Sequence, residues 1–136
     1  MFEKVLLTDE MKRLDQYTCD TKKISSLELM EVAGYHIYRC FLDNHQINKE
    51  NDRILVIAGL GNNGGDALVV SELLLKDNFK VNIVIIGDLN KLSRETRTVY
   101  QRLRENNISI LNITSSENLK EFNQLINNSE YIIDGI

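Results

Sequence analysis

The residues best suited to chemistry lie in one short run, Gly59-Leu60-Gly61-Asn62-Asn63-Gly64-Gly65-Asp66, and in one distant aspartate, Asp134. Four of the chain's seven glycines fall in that run. Glycines at such a turn allow positive φ and let a ligand approach the main chain closely. A helix starting there would offer free N–H groups and roughly half a unit of positive charge, which suits a phosphate or diphosphate. Gly59, Gly61 and Gly64 satisfy G-x-G-x-x-G. However, Asn62, Asn63 and Asp66 make the run far more polar than a dinucleotide fingerprint requires, and no Gly-Lys-Ser/Thr follows as in a P-loop. A bare glycine turn is the plain alternative for the glycines alone; two Asn, two Gly and an Asp in succession are more specific. Asn side chains both donate and accept, and their carbonyl oxygens suit a hard cation. Asp134 has two readings. It is either a turn or helix-cap aspartate, or a carboxylate that binds a cation or moves a proton.

These residues need a scaffold, and the chain supplies alternating strands and helices. Ile54-Leu55-Val56-Ile57-Ala58 is a continuous apolar run, as in a buried parallel strand. A helix over about 66–76 follows the glycine run. A second strand spans 80–86, closed by Gly87-Asp88. A helix over about 93–105, a third strand over 108–111, a helix capped by Ser115 or Ser116 and a fourth strand over 131–133 complete the series. Right-handed crossovers then give a parallel sheet covered on both faces. In the usual doubly wound order the first and fourth strands are neighbours, which sets Asp134 opposite the Asn62–Asp66 run at the switch point. Before this core, Thr8 is suited to cap a helix with Met11, Leu14 and Tyr17 as a modest apolar stripe. Ser25 and Glu28 form a capping box for a second helix. Its Leu27, Met30, Gly34, Ile37, Tyr38 and Phe41 recur at helical spacing and read mostly as core. The polar stretch 43–52 is the nearest thing to a linker. The expected fold is therefore α/β: a Rossmann-like three-layer α/β/α core over 51–136, preceded by a helical arm over 1–50. The chain stops directly after a buried strand, at Asp134-Gly135-Ile136, which reads as a fragment of a longer protein.

Composition narrows the function. The chain has 136 residues, with 43% hydrophobic and 26% charged, as in an ordinary soluble domain. Its net charge of −4 argues against general nucleic-acid affinity. Two cysteines, Cys19 and Cys40, exclude a disulfide scaffold and a Cys-rich zinc site, and two histidines disfavour a His-based metal centre. The opening apolar run is too short for a signal peptide or membrane span, so a cytoplasmic location is expected.

The run Gly61-Asn62-Asn63-Gly64-Gly65-Asp66, followed by Leu68-Val69, resembles the YjeF N-terminal domain family, the NAD(P)H-hydrate epimerases. Met11, Asp15 and Leu29-Met30-Glu31-Val32-Ala33-Gly34 are similar to that family's N-terminal helices. Asp134 resembles the aspartate that opens its Asp-x-x-Phe-Gly-Thr-Gly-like loop. Two positions depart from the pattern: Leu60 replaces a small residue or proline, and Ala67 replaces a glycine. Leu60 is expected to alter the rim of the loop.

The resemblance implies interconversion of the C6 epimers of hydrated NADH or NADPH. It places a potassium ion on Asn63 and Asp134, and the dinucleotide on Asn62, Asn63, Gly64, Gly65 and Asp66. That reaction needs a carboxylate to protonate the departing hydroxyl and deprotonate the returning water, so Asp134 is expected either to do this as the catalytic residue or to hold the cation that does. The resemblance also implies a homodimer and, in some family members, fusion to an ATP- or ADP-dependent dehydratase. No membrane partner is expected. Two other readings stand beside it: a non-catalytic dimerisation scaffold of the same fold, and a generic nucleotide-binding domain. Asp15 and Glu31 read as solvated or structural, His36 as a surface or interface residue, Lys22-Lys23 as a solvated turn, and both cysteines as partly buried thiols.

Overall fold

The computed structural model describes residues 7–136, and the extreme N-terminal apolar run lies outside them. Two helices, α1 (Thr8–Lys22) and α2 (Ser26–Asn44), precede four strands: β1 (Arg53–Ala58), β2 (Lys80–Ile86), β3 (Ile110–Ile113) and β4 (Tyr131–Gly135). Between the strands run α3 (Asn62–Lys76), α4 (Arg94–Glu105) and α5 (Leu119–Asn127), with short 3-10 turns at Leu89–Lys91 and Ser116–Asn118. All strands are parallel, in the order β3-β2-β1-β4. The expected α/β fold and the β1–β4 adjacency are thus present, with Ile57 paired to Asp134 and Ala58 to Gly135.

Residues 54–58 of β1 are all buried, as the apolar run requires of a strand covered on both faces. Ile54, Val56 and Ala58 point to a core shared with Met30 and Tyr38 of α2, Leu68 and Val70 of α3, and Val99 and Leu103 of α4. Leu55 and Ile57 point the other way, where Phe122, Leu125 and Ile126 of α5 pack. Gly34 lets α2 approach α3 closely, because a Cβ there would stand 2.5 Å from Val69 Cγ1.

Several expectations shift. The first helix is capped at Leu7, whose N–H donates to the Glu10 carboxylate at 2.9 Å, so Thr8 is its first helical residue. The Ser25–Glu28 capping box forms as expected. α2 runs on to Asn44, two residues into the expected linker. β3 begins at Ile110, because Asn107 takes a left-handed conformation and the Ile108 N–H closes the end of α4 on the Leu103 carbonyl. The apolar stripe of α1 faces outward: Met11, Leu14 and Tyr17 are exposed, and α1 buries no residue. Ile37 is also exposed, unlike Met30 and Tyr38 on the same helix. Cys40 is exposed rather than partly buried.

Candidate functional site

The glycine run folds as a turn of three residues, then a helix. Gly61 takes an extended conformation and caps α3, so Asn62, Asn63, Gly64, Gly65 and Asp66 are its first five residues. The expectation that the helix begins near Asp66 is corrected by four residues. The reason is steric. None of the four glycines in the run has positive φ; Gly87 is the one described glycine that does. Their value lies in closeness: a methyl group at Gly64 would overlap the carbonyl oxygen of Gly59, and one at Gly65 would overlap the Met30 side chain. A Cβ at Gly135 would stand 2.8 Å from the Asn63 carbonyl oxygen. The start of α3 is therefore pressed onto the ends of both β1 and β4.

This packing brings the predicted residues together. Asn63, Asp66 and Asp134 line one cavity of about 180 Å³, with Ile37 and Ile136 at its apolar side. Asn62 and Asp66 line a second cavity, of about 240 Å³, closed on its far side by Lys12, Asp15 and Gln16 of α1. Asp66 is thus common to both. Asn62, Asn63 and Asp134 are exposed, whereas Asp66 is half-buried and Gly64 and Gly65 are buried. Burial, with the nearby Asp15 carboxylate as a lesser cause, pushes the Asp66 carboxyl up to about 6. Such a group is partly protonated near neutrality and suits acid–base work. Asp134 Oδ1 accepts a hydrogen bond from the Ile136 N–H at 3.0 Å. Its turn role and a ligand role are compatible, since Oδ2 has no partner among the described residues.

Two supporting residues come from the start of α4 and its N-cap. Buried Thr96 donates to the Gly61 carbonyl at 2.9 Å, and the Ser93 N–H donates to the Leu60 carbonyl at 2.9 Å. Both fix the glycine turn from outside. Ser93 was visible as a helix start; nothing local marks Thr96, because its partner is 35 residues away. Leu60 turns inward over Gly87, where a Cβ would stand 2.8 Å from Leu60 Cδ1, and packs on the core rather than shaping the rim. Glu31 pairs with Arg102 at 2.5 Å, and Arg102 also reaches Glu72 at 3.1 Å, so Glu31 ties α2 to α4 as a structural residue. His36 is exposed, and Lys23 forms the left-handed cap of α1.

The geometry can be set beside known proteins. The family profile described as YjeF-related protein N-terminus matches residues 26–136. The chain belongs to this family. An NAD(P)H-hydrate epimerase of Lentilactobacillus buchneri is 39% identical over 92 residues, which is 68% of this chain and 42% of that protein. One from Anaerococcus prevotii is 31% identical over 126 residues, 93% of this chain and 56% of that protein. A bifunctional NAD(P)H-hydrate repair enzyme of Moorella thermoacetica is 34% identical over 97 residues, covering 18% of its length. The crystal structure of a yeast protein superposes with a TM-score of 0.71 at 21% identity, over 98% of this chain and 56% of that one, which establishes the shared fold. The chain spans 42% to 56% of the length of these two epimerases. No described helix is long and apolar enough to cross a membrane.

Proposed function

We propose that this YjeF-related domain serves an NAD(P)H-hydrate epimerase, interconverting the R and S forms of hydrated NADH or NADPH. The observation that carries the reading is the shared cavity of Asn63, Asp66 and Asp134, formed where α3 is pressed onto β1 and β4. Relatives that carry this activity by name support it.

In the substrate, water has added to C6 of the nicotinamide ring. Inversion requires that hydroxyl to leave, with the ring nitrogen supplying the electron pair, and water to return on the other face. A carboxyl group beside C6 would protonate the departing hydroxyl and take the proton back from the returning water. We assign this to Asp134, with Asp66 as the half-buried carboxyl lining the same cavity. The backbone N–H groups at the start of α3 suit the diphosphate, with Asn62, Asn63, Gly64, Gly65 and Asp66 around it.

The Asn63 side chain and Asp134 Oδ2, both without hydrogen-bond partners among the described residues, form an oxygen donor set that fits a hard cation such as potassium. Bound there, the cation would supply positive charge beside the diphosphate and the leaving oxygen. The exposed apolar residues of α1 and α2 support a homodimer, and the bifunctional relative supports fusion to a dehydratase in some family members. A cytoplasmic setting fits the absence of disulfides among the described residues.

Asp134→Asn in the full-length protein should abolish epimerisation of hydrated NADPH while leaving the thermal midpoint unchanged. Retained turnover would overturn the assignment. Turnover that does not depend on potassium would remove the cation from it. Tight binding of nicotinamide dinucleotides with no epimerisation in the wild type would favour the scaffold or generic-binding reading.

A further inference from the structure

Helix α1 is mounted with its polar side inward. Leu7, Met11, Leu14 and Tyr17 are 45–71% exposed. The opposite face, Lys12, Asp15, Gln16, Cys19, Asp20 and Lys23, recurs at three- to four-residue spacing and lines two cavities. The first is the 240 Å³ space that ends at Asn62 and Asp66. The second, of about 770 Å³, reaches Arg94 of α4. Both are walled by Gln16, Cys19 and Ser26, so they are two chambers of one cleft running from the candidate site to Arg94.

The far chamber has the mixed lining a nucleoside phosphate needs. Ile24 and Leu27 give it an apolar wall, Asp20 and Glu95 are acceptors, and Lys23 and Arg94 are cations. Neither Lys23 nor Arg94 forms an ion pair with any described residue. Lys23 lines the chamber as the left-handed C-cap of α1, its N–H closing the helix on the Cys19 carbonyl. The chamber's volume lies in the range of small-molecule sites, on the order of 300–1,000 Å³. With its polar face inward, α1 leaves a polar cleft beneath it, which suits a polar ligand.

We infer that this cleft receives the adenosine half of the dinucleotide whose diphosphate lies at Asn62–Asp66, and that Lys23 and Arg94 make it favour a phosphorylated ribose. The inference rests on the dinucleotide reading given above. Phosphate paired with Lys and Arg gains charge-assisted hydrogen bonds that a bare ribose hydroxyl cannot make. Asp20 and Glu95 would accept from ribose hydroxyls or the adenine amino group.

The test uses adenosine 2′,5′-bisphosphate and AMP as probes, titrated calorimetrically against the chain. The bisphosphate should bind about tenfold more tightly than AMP, a difference that two charge-assisted contacts can supply. The double variant Lys23→Ala/Arg94→Ala should bring the two affinities within about twofold, with an unchanged melting profile, since both side chains are exposed. Arg94→Lys alone should keep most of the preference. Equal affinities in the wild type, no binding of either probe, or a preference that survives the double variant would each overturn the inference. Failure of the epimerase reading has a different signature: no turnover of hydrated dinucleotide in the full-length protein, with the bisphosphate preference intact.

Discussion

The start of α3 and the helix α1 form opposite walls of the same cleft, and they are held in opposite ways. At α3, three backbone segments meet with no room for a methyl group, and Gly64 touches the Gly59 carbonyl. At α1, no residue is buried, and a polar face looks across open space toward Asp66. One wall is fixed by close packing, which is stiff and unforgiving. The other is held by a short turn and contacts to α2, as in low-stability regions that open locally. A site needs both: a rigid floor to place Asn63, Asp66 and Asp134, and a wall that can admit a ligand.

The largest effect should come from breaking the rigid wall. Gly64→Ala drives a methyl group into backbone, not into a flexible side chain, and should cost about 3 kcal/mol or more. Thermal denaturation followed by circular dichroism measures this; a loss below about 1 kcal/mol would show that the turn can yield. A matched pair sharpens the contrast. Leu68→Ala empties fully buried space on α3 and should cost about 3 kcal/mol. Leu14→Ala, on the outer face of α1, should stay within about 0.5 kcal/mol. Similar losses for both in urea titrations would mean that α1 is as firmly packed as α3.

The smallest effect is electrostatic coupling across the cleft. The Asp66 pKa is raised from its ordinary 3.8 to about 6, so its protonated form is favoured by folding. That contribution is complete below pH 3.8 and is lost as pH rises through about 6. The stability of the wild type minus that of Asp66→Asn should therefore fall across this window. Asp15→Asn should move the Asp66 midpoint down only slightly, because burial is the larger cause. Carboxyl NMR titration reads that midpoint directly. No movement would show that α1 stands farther off than the structure has it.

Much of this was legible residue by residue. The short apolar run 54–58, rich in β-branched residues, is typical of a strand buried on both faces, and strand–helix alternation then leaves few topologies. The Asn-Asn-Gly-Gly-Asp run marked the candidate site because those side chains serve a ligand better than they serve a core. Local composition misled where the reason for a residue is a distant partner. Gly64 and Gly65 read as a turn that needs positive φ or an approaching ligand, although they are helical and small because Gly59, Met30 and Thr96 stand against them. Met11, Leu14 and Tyr17 read as a modest apolar stripe, and Ile37 as core, but periodicity gives a helix two faces without saying which turns inward, and all four are exposed.

The sequence by itself determined the element types, the parallel core and the residues able to do chemistry, because propensity, patterning and side-chain chemistry are local. The tertiary structure alone decided that Asn63, Asp66 and Asp134 share a cavity, that Thr96 holds the glycine turn and that α1 turns its polar face to the cleft. Those outcomes depend on which surfaces meet at close range, and residues tens of positions apart carry no local sign of that meeting.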